Sequence, residues 1–179
     1  MRRSAARLAA ATFSHVDGTL PTMVDVSAKQ VTQRVARARS VVRLPEEVAS
    51  LLVGDEISTK KGPVFSTAVV AGVMAAKKTS ELIPFCHPLA LDRCDIDIDV
   101  GPALAAPNAG CRDVELTCTV AVEAKTGVEM EALTGCSAAA LCIYDMCKSV
   151  SHGIVIRDTQ LVEKTGGKSG EIRPAVPGR

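Results

Sequence analysis

Apolar and polar residues alternate through the first half of 31–44 (VTQRVARARSVVRL), the period of a strand with one buried face. Pro45 ends it, and 45–53 reads as a short helix. From Gly62 to Leu82 the period changes. Val64, Phe65, Ala68, Val69, Val73 and Ala76 recur at helical spacing behind Pro63, a residue tolerated at a helix start, with Lys77, Lys78 and Glu81 towards the end. Pro84 and Pro88 stop any continuation. Alternation returns over 91–100, with Asp95, Asp97 and Asp99 on the wet face, and a third strand follows over 113–124 after the proline- and glycine-bearing turn 101–110. A second long helix over 126–150 and a last strand over 154–163 complete the pattern. Residues 1–29 lack sustained periodicity and read as a mobile arm or loop; from Lys164 onward the chain is glycine-rich and polar. The order β-α-β-β-α-β is the split βαβ arrangement of an α+β fold, an antiparallel sheet with two long helices on one face.

The second long helix carries charge where packing alone would not put it. Thr126–Lys148 (TGVEMEALTGCSAAALCIYDMCK) has the length and period of a buried helix, yet holds Glu129, Glu131, Asp145 and Lys148. An unpaired buried charge costs several kcal/mol, so such groups belong on a pocket wall. Asp145 and Lys148, three residues apart, share a helical face and read as an acid/base pair built into a rigid element.

Composition narrows the class. The 179 residues suffice for one self-supporting domain, and no internal repeat or second domain is visible. There is no Trp, one Tyr and three Phe, while Ala and Val dominate. Small side chains pack thin layers, and such folds gain burial by self-association, so a homo-oligomer is expected. A formal net charge of +1 gives no global field for nucleic acid or a membrane surface, which leaves any phosphorylated ligand to local clusters. Seven cysteines, an odd number without a disulfide-like framework, point to reduced thiols in an intracellular compartment. No apolar run reaches the roughly 18 residues that a membrane span needs. The start, MRRSAARLAAATFSH, has Arg2, Arg3 and Arg7 and no acid before Asp17, the composition of an organellar transit peptide. The expected location is therefore the mitochondrial matrix, with the cytoplasm as the alternative.

Three groups outside the charged helix have chemical potential. In IPFCHPL (83–89) two prolines hold Cys86 and His87 extended, so His87 projects from a stiff loop as an acid, a base or a phosphate donor. The plainer reading is a histidine bonded to a neighbouring carbonyl beside a small buried thiol. No CxxC and no second ligand at tetrahedral spacing accompany it, which disfavours zinc. Lys60-Lys61-Gly62 and KTGGKSG (164–170) pair lysine charge with glycines that let backbone amides approach phosphate. The second is not a nucleotide phosphate loop, because Val162 stands where its first glycine is needed and only nine residues follow Gly170. Lys29, Arg34, Arg37 and Arg39 form a basic set in which Arg37 and Arg39 read as a solvated face and Arg34 as an anion contact.

Taken together, these motifs resemble the MoaC family, the cyclic pyranopterin monophosphate synthases of molybdenum-cofactor biosynthesis. The resemblance runs from about Ser14 to Gly170. It rests on SHVDG and MVDVSAK within 14–29, KG at 61–62, AGVMAAKKTSELIPFCHPL (71–89), KTGVEMEALT (125–134), IYDMCK (143–148) and KTGGKSG (164–170). It implies a ferredoxin-like α+β fold, with 14–170 as one catalytic domain between an arm (1–13) and a flexible tail (171–179). It also implies a hexamer built as a trimer of dimers, with active sites at the dimer interface. The implied reaction rearranges a small-molecule substrate, 3′,8-cyclised dihydro-GTP, to cyclic pyranopterin monophosphate and releases pyrophosphate.

By the same resemblance the catalytic aspartate falls on Asp145 and the catalytic lysines on Lys61 and Lys148. Substrate contacts fall on Phe85, Cys86 and His87 and on Met130 and Glu131, and charged pocket positions on Arg34, Glu129 and Lys164. No cofactor or metal is implied, though Mg²⁺ assistance of pyrophosphate departure stays open. Such chemistry asks for proton shuttling at ring nitrogen and oxygen and for positive charge around a triphosphate, which these residue types supply. Three departures stand out: Pro63 where the family usually has an acid, Phe85 for a leucine, and Gly135, Cys136 and Cys142 where small or hydroxyl residues are commoner. A catalytically inactive ligand-binding homologue on the same scaffold is the alternative reading, which intact Asp145, Lys148 and His87 oppose.

Overall fold

The computed structural model describes residues 16–17, 20–168 and 170–174. In chain order its elements are β1 (Val16–Asp17), β2 (Leu20–Pro21), β3 (Thr32–Leu44), α1 (Glu46–Ala49), β4 (Leu52–Val53), β5 (Glu56–Thr59), β6 (Gly62–Pro63), α2 (Val64–Lys77), α3 (Thr79–Leu82), β7 (Arg93–Ala103), β8 (Arg112–Ala124), α4 (Glu129–Cys147) and β9 (Val155–Thr165). The main sheet runs β7-β8-β3-β9 with every neighbouring pair antiparallel. Counting only the elements of the β-α-β-β-α-β core, that places the first strand between the third and the fourth, the ferredoxin-like α+β arrangement.

Side-chain parity separates the two faces of this sheet. Val114, Leu116, Cys118, Val120 and Val122 of β8 are buried, and they sit opposite Val42, Ser40, Ala38, Ala36 and Arg34 of β3. Helix α4 covers this face against β3, β8 and β9, and α2 lies beside it over β7. The helices meet at glycines: a Cβ on Gly72 would stand 2.8 Å from the Gly135 carbonyl oxygen, and one on Gly135 would stand 3.2 Å from that of Gly72. Ala132, Ala139 and Ala140 continue the close layer, and Leu116 and Ile143 are fully buried beside it. Burying a side chain of that size contributes roughly 1.5–3 kcal/mol. A core so short of aromatics is thus packed by backbone approach.

The opposite face carries the odd-numbered basic residues. Arg39 pairs with Glu115 at 2.7 Å and Arg43 with Asp113 at 2.8 Å, while the more exposed Arg37 reaches Glu163 at 3.8 Å. The solvated face expected for Arg37 and Arg39 holds for Arg37, half exposed, while Arg39 is drawn in against Glu115; Arg34, of even parity, lies on the helix side instead.

Six expectations change in detail, two of them only in their limits: the helix expected over 126–150 spans Glu129–Cys147, and the strand expected over 91–100 spans Arg93–Ala103. The helix expected over 62–82 begins after Pro63 and ends at Lys77; Lys78 leaves helical geometry (φ −108°, ψ 12°), and α3 follows as a separate turn. The buried Thr79 hydroxyl donates to the Ala76 carbonyl at 2.9 Å, taking an acceptor that a continuing helix would use. The helix expected over 45–53 stops at Ala49, and 52–63 instead forms three short strands. The last strand extends to Thr165, so Lys164 is a strand residue, paired by backbone with Ile172. Within the expected unstructured start, β1 and β2 pair as a small ladder. The expected arm 1–13 lies outside the described residues, as do 175–179 of the expected tail. No helix among the described residues is long and apolar enough to cross a membrane.

Candidate functional site

The residues singled out above fall into two clusters, one at each end of α4. The first is built on a hairpin. Strands β5 and β6 pair Thr59 with Gly62, which leaves Lys60 and Lys61 as the two turn residues. The Thr59 hydroxyl donates to the Gly62 carbonyl at 3.2 Å and accepts from the Lys61 amide at 3.1 Å, closing the turn. Gly62 takes the positive dihedral (φ +115°) that a lysine would resist. So placed, Lys61 Nζ lies 2.8 Å from Asp145 Oδ2, in the last turn of α4, and Lys148 Nζ lies 2.6 Å from Oδ1. Cations suit a helix C-terminus, where carbonyls lack partners.

This lysine–aspartate–lysine triad is open rather than buried, with side chains 50%, 54% and 48% exposed for Lys61, Asp145 and Lys148. The cost anticipated for buried charge therefore does not arise here, because the end of α4 reaches the surface. Hydrogen bonds from Lys148 and then Lys61 hold the Asp145 carboxyl down at about 2, and the same bond raises Lys148 above its ordinary value. Asp145 is thus a carboxylate near neutrality, bridging the two lysine amines.

The second cluster surrounds an open cavity of about 240 Å³ whose lining includes Phe85, Cys86, His87, Met130 and Glu131, with Lys29, Thr126 and Gly127 also in the wall. Its loop forms because the Cys86 amide bonds back to the Ile83 carbonyl at 3.1 Å, turning the chain after α3 towards the start of α4. Glu131 is 4% exposed. Burial raises its carboxyl above the usual range, and the charge of Glu129 acts in the same direction. Burial likewise pushes the Cys86 thiol up, with Glu131 adding to it.

Glu129 is paired with Lys164 of β9. Arg34 reaches the Lys125 carbonyl at 3.5 Å and is wrapped by the KTGG segment: a Cβ on Gly167 would stand 1.8 Å from Arg34 Nη1, and one on Gly166 would stand 2.1 Å from the Gln33 carbonyl oxygen. Both glycines have positive φ, +94° at Gly166 and +72° at Gly167, so glycine is required here for conformation and for space. The Arg34 Nε is buried without a hydrogen-bond partner among the described residues.

Lys29, which the sequence marks as one of a basic set and within MVDVSAK but not as a site residue, also lines this cavity. Its loop is shaped by the Asp25 carboxylate, which accepts from the Ser27 amide at 2.8 Å, and by Lys125 Nζ, which donates to the Ser27 carbonyl at 2.8 Å. The lysine in MVDVSAK was the available signal. All seven cysteines are unpaired; burial pushes the Cys136 thiol up to about 12, unsuited to redox or metal work. Among the described residues no group of three His, Cys, Asp or Glu side chains is placed to hold a metal ion.

The two clusters are far apart within one chain. Fourteen positions of α4 separate Glu131 from Asp145, about 20 Å at 1.5 Å per residue. Proton transfer needs each group within about 3 Å of its atom, so both clusters cannot act on one reacting centre in this chain alone.

Residues 23–167 match a family profile described as "MoaC family". The "Cyclic pyranopterin monophosphate synthase" of Xanthomonas campestris pv. campestris (strain B100) is 50% identical over 164 residues, covering 91% of this chain and 94% of that protein. The "Molybdenum cofactor biosynthesis bifunctional protein" of a Synechocystis species is 49% identical over 158 residues, which cover 88% of this chain and 44% of that protein. "Molybdenum cofactor biosynthesis protein 1" of Dictyostelium discoideum is 46% identical over 175 residues, with 88% and 26% covered. The chain thus spans less than half the length of these last two relatives.

Proposed function

This chain belongs to the MoaC family, and on that premise we propose that it catalyses an early step of molybdenum-cofactor biosynthesis, the conversion of 3′,8-cyclised dihydro-GTP to cyclic pyranopterin monophosphate with release of pyrophosphate. The observation that carries the reading is the triad: one carboxylate held between two lysines, where 84 residues of chain separate Lys61 from Asp145. Opening the imidazole ring and closing the pyran ring both move protons at nitrogen and oxygen. Lys61 and Lys148 are the groups that pass those protons, and Asp145 holds both amines in place by direct ion pairs. Closing the cyclic phosphate expels pyrophosphate, an anion that Lys61, Arg34, Lys164 and His87 are chemically able to receive. The reading invokes no resident cofactor, and paired assays with EDTA and with Mg²⁺ measure what a divalent cation adds to pyrophosphate departure.

The separation of the clusters supports the second half of the reading. A second copy of the chain, laying its Phe85–His87 cavity against the first copy's Asp145, makes one complete site at the interface of a dimer, within a hexamer formed as a trimer of dimers. The location we favour is the mitochondrial matrix, on the arginine-rich start, and an import assay with isolated mitochondria tests it. A single-turnover assay of the purified chain with the cyclised substrate tests the activity. Pyrophosphate and the pterin product in equal amounts support it; bound substrate without turnover refutes it and favours a binding-only homologue.

A further inference from the structure

Helix α2 begins without a capping side chain of its own. Pro63 stands at its N-cap position (φ −69°, ψ 128°) and offers no acceptor to the first amides of the helix. Those amides are nevertheless satisfied from elsewhere. Glu56, on β5, accepts the Phe65 amide at 2.8 Å on Oε1; on Oε2 it accepts the Ser66 amide at 3.0 Å and the Ser66 hydroxyl at 2.9 Å. Its Oε1 also accepts the Ile57 amide at 2.8 Å. Phe65 and Ser66 are the second and third helical residues, the two whose amides an N-cap side chain at position 63 would take. Four hydrogen bonds to one carboxylate hold it below the usual range against the opposing effect of burial.

The consequence reaches the triad. Glu56 opens β5, which runs into the Lys60–Lys61 turn and returns through β6 directly into α2. The turn is therefore clamped at its base by a bond between its first strand and the helix that follows it. Lys61 is carried on that turn and reaches Asp145 on a different element, α4. We infer that Glu56 is the positioning residue for Lys61: by capping α2 in place of residue 63, it fixes the hairpin so that the Lys61 ammonium meets Asp145. A chain with an acid at 63 would cap the helix locally and leave position 56 unconstrained. Here the two positions form one unit, and the inference rests on the proposed role of Lys61 while adding a test that does not need turnover.

That test is the reactivity of the Lys61 amine towards dilute acetic anhydride at mildly alkaline pH, quantified by mass spectrometry on the native protein. The Asp145→Asn variant sets the rate of a lysine released from its carboxylate. Glu56→Ala is expected to raise Lys61 acetylation several-fold towards that rate, and Glu56→Ala combined with Pro63→Asp to return it to the wild-type value. Glu56→Gln, which keeps the side chain's shape and one acceptor oxygen, falls between and serves if the alanine variant does not fold. Loss of thermal stability in Glu56→Ala or Glu56→Gln with Lys61 reactivity unchanged would overturn the inference and leave Glu56 a structural cap only. Where the wild type turns over, Glu56→Ala lowers kcat in the wild-type background and adds nothing in Lys61→Ala; additive losses would contradict it. If the wild type shows no turnover, the proposed reaction fails while the acetylation result still decides the position of Lys61.

Discussion

Lys61 Nζ contacts one residue twice, the Asp145 carboxylate at 2.8 Å and the Asp145 backbone carbonyl at 3.0 Å. The second bond satisfies a carbonyl at the end of α4, so the lysine is oriented by the helix as well as by charge. On the proposed mechanism, replacing any member of the triad removes a group worth about 10²–10⁴-fold in proton transfer. Asp145→Asn, Lys148→Ala and Lys61→Ala are expected each to lose turnover on that scale. All three side chains are about half exposed, so far-UV circular dichroism should stay at wild type.

The pH dependence follows from the sign of the Asp145 shift. Its folded value, about 2, lies below the ordinary 3.8. The contribution of its ion pairs to the folded state is therefore present above the ordinary value and lost as pH falls through about 2. Between about pH 5 and 9 Asp145 does not titrate, and kcat/KM should show no acidic limb belonging to it. Comparing that limb in wild type and Asp145→Asn checks this: an inflection present only in wild type would be contrary to the account.

Glu131 behaves in the opposite sense. Its carboxyl is raised by burial, so its neutral form is the one that folding favours, and stability declines as pH rises through the folded value. Glu131→Gln keeps the shape without the charge. It should raise the melting temperature at neutral pH and flatten its dependence on pH in the acidic range, as thermal denaturation across that range will report.

The KTGG segment can be broken by one methyl group. Gly166→Ala puts a Cβ 2.1 Å from the Gln33 carbonyl oxygen at a φ of +94°, which backbone adjustment alone can relieve. The expected cost is more than about 1 kcal/mol of stability, measured by urea unfolding. Weaker binding of triphosphate-bearing ligands should accompany it, because the same segment wraps Arg34.

Much of this fold is readable from alternation. Over 113–124 and 31–44 the strand limits agree with the structure to within a residue, and parity alone separates Arg34 from Arg37 and Arg39. Residues 52–63 were illegible, since strands of two to four residues are too short for a period to emerge. The cap of α2 was hidden for a different reason: its acceptor comes from nine residues earlier, not from the N-cap position that sequence patterns address. The distance from Glu131 to Asp145 was implicit in one helix of 1.5 Å rise. The approach of His87 to Glu131 was not, because it depends on the turn at Ile83–Cys86 and on how α3 breaks from α2.

The central claim is that the two ends of α4 meet only between copies, and mixing two inactive variants tests it most directly. Asp145→Asn lacks the triad and His87→Ala lacks the cavity histidine. Co-refolded in equal amounts, half of all dimers are mixed, and each mixed dimer holds one site with both clusters intact. The account predicts recovery of about a quarter of wild-type turnover, from parents that are each inactive. Activity no higher than that of the parents, in samples shown to contain mixed oligomers, would contradict it and return the whole reaction to a single chain.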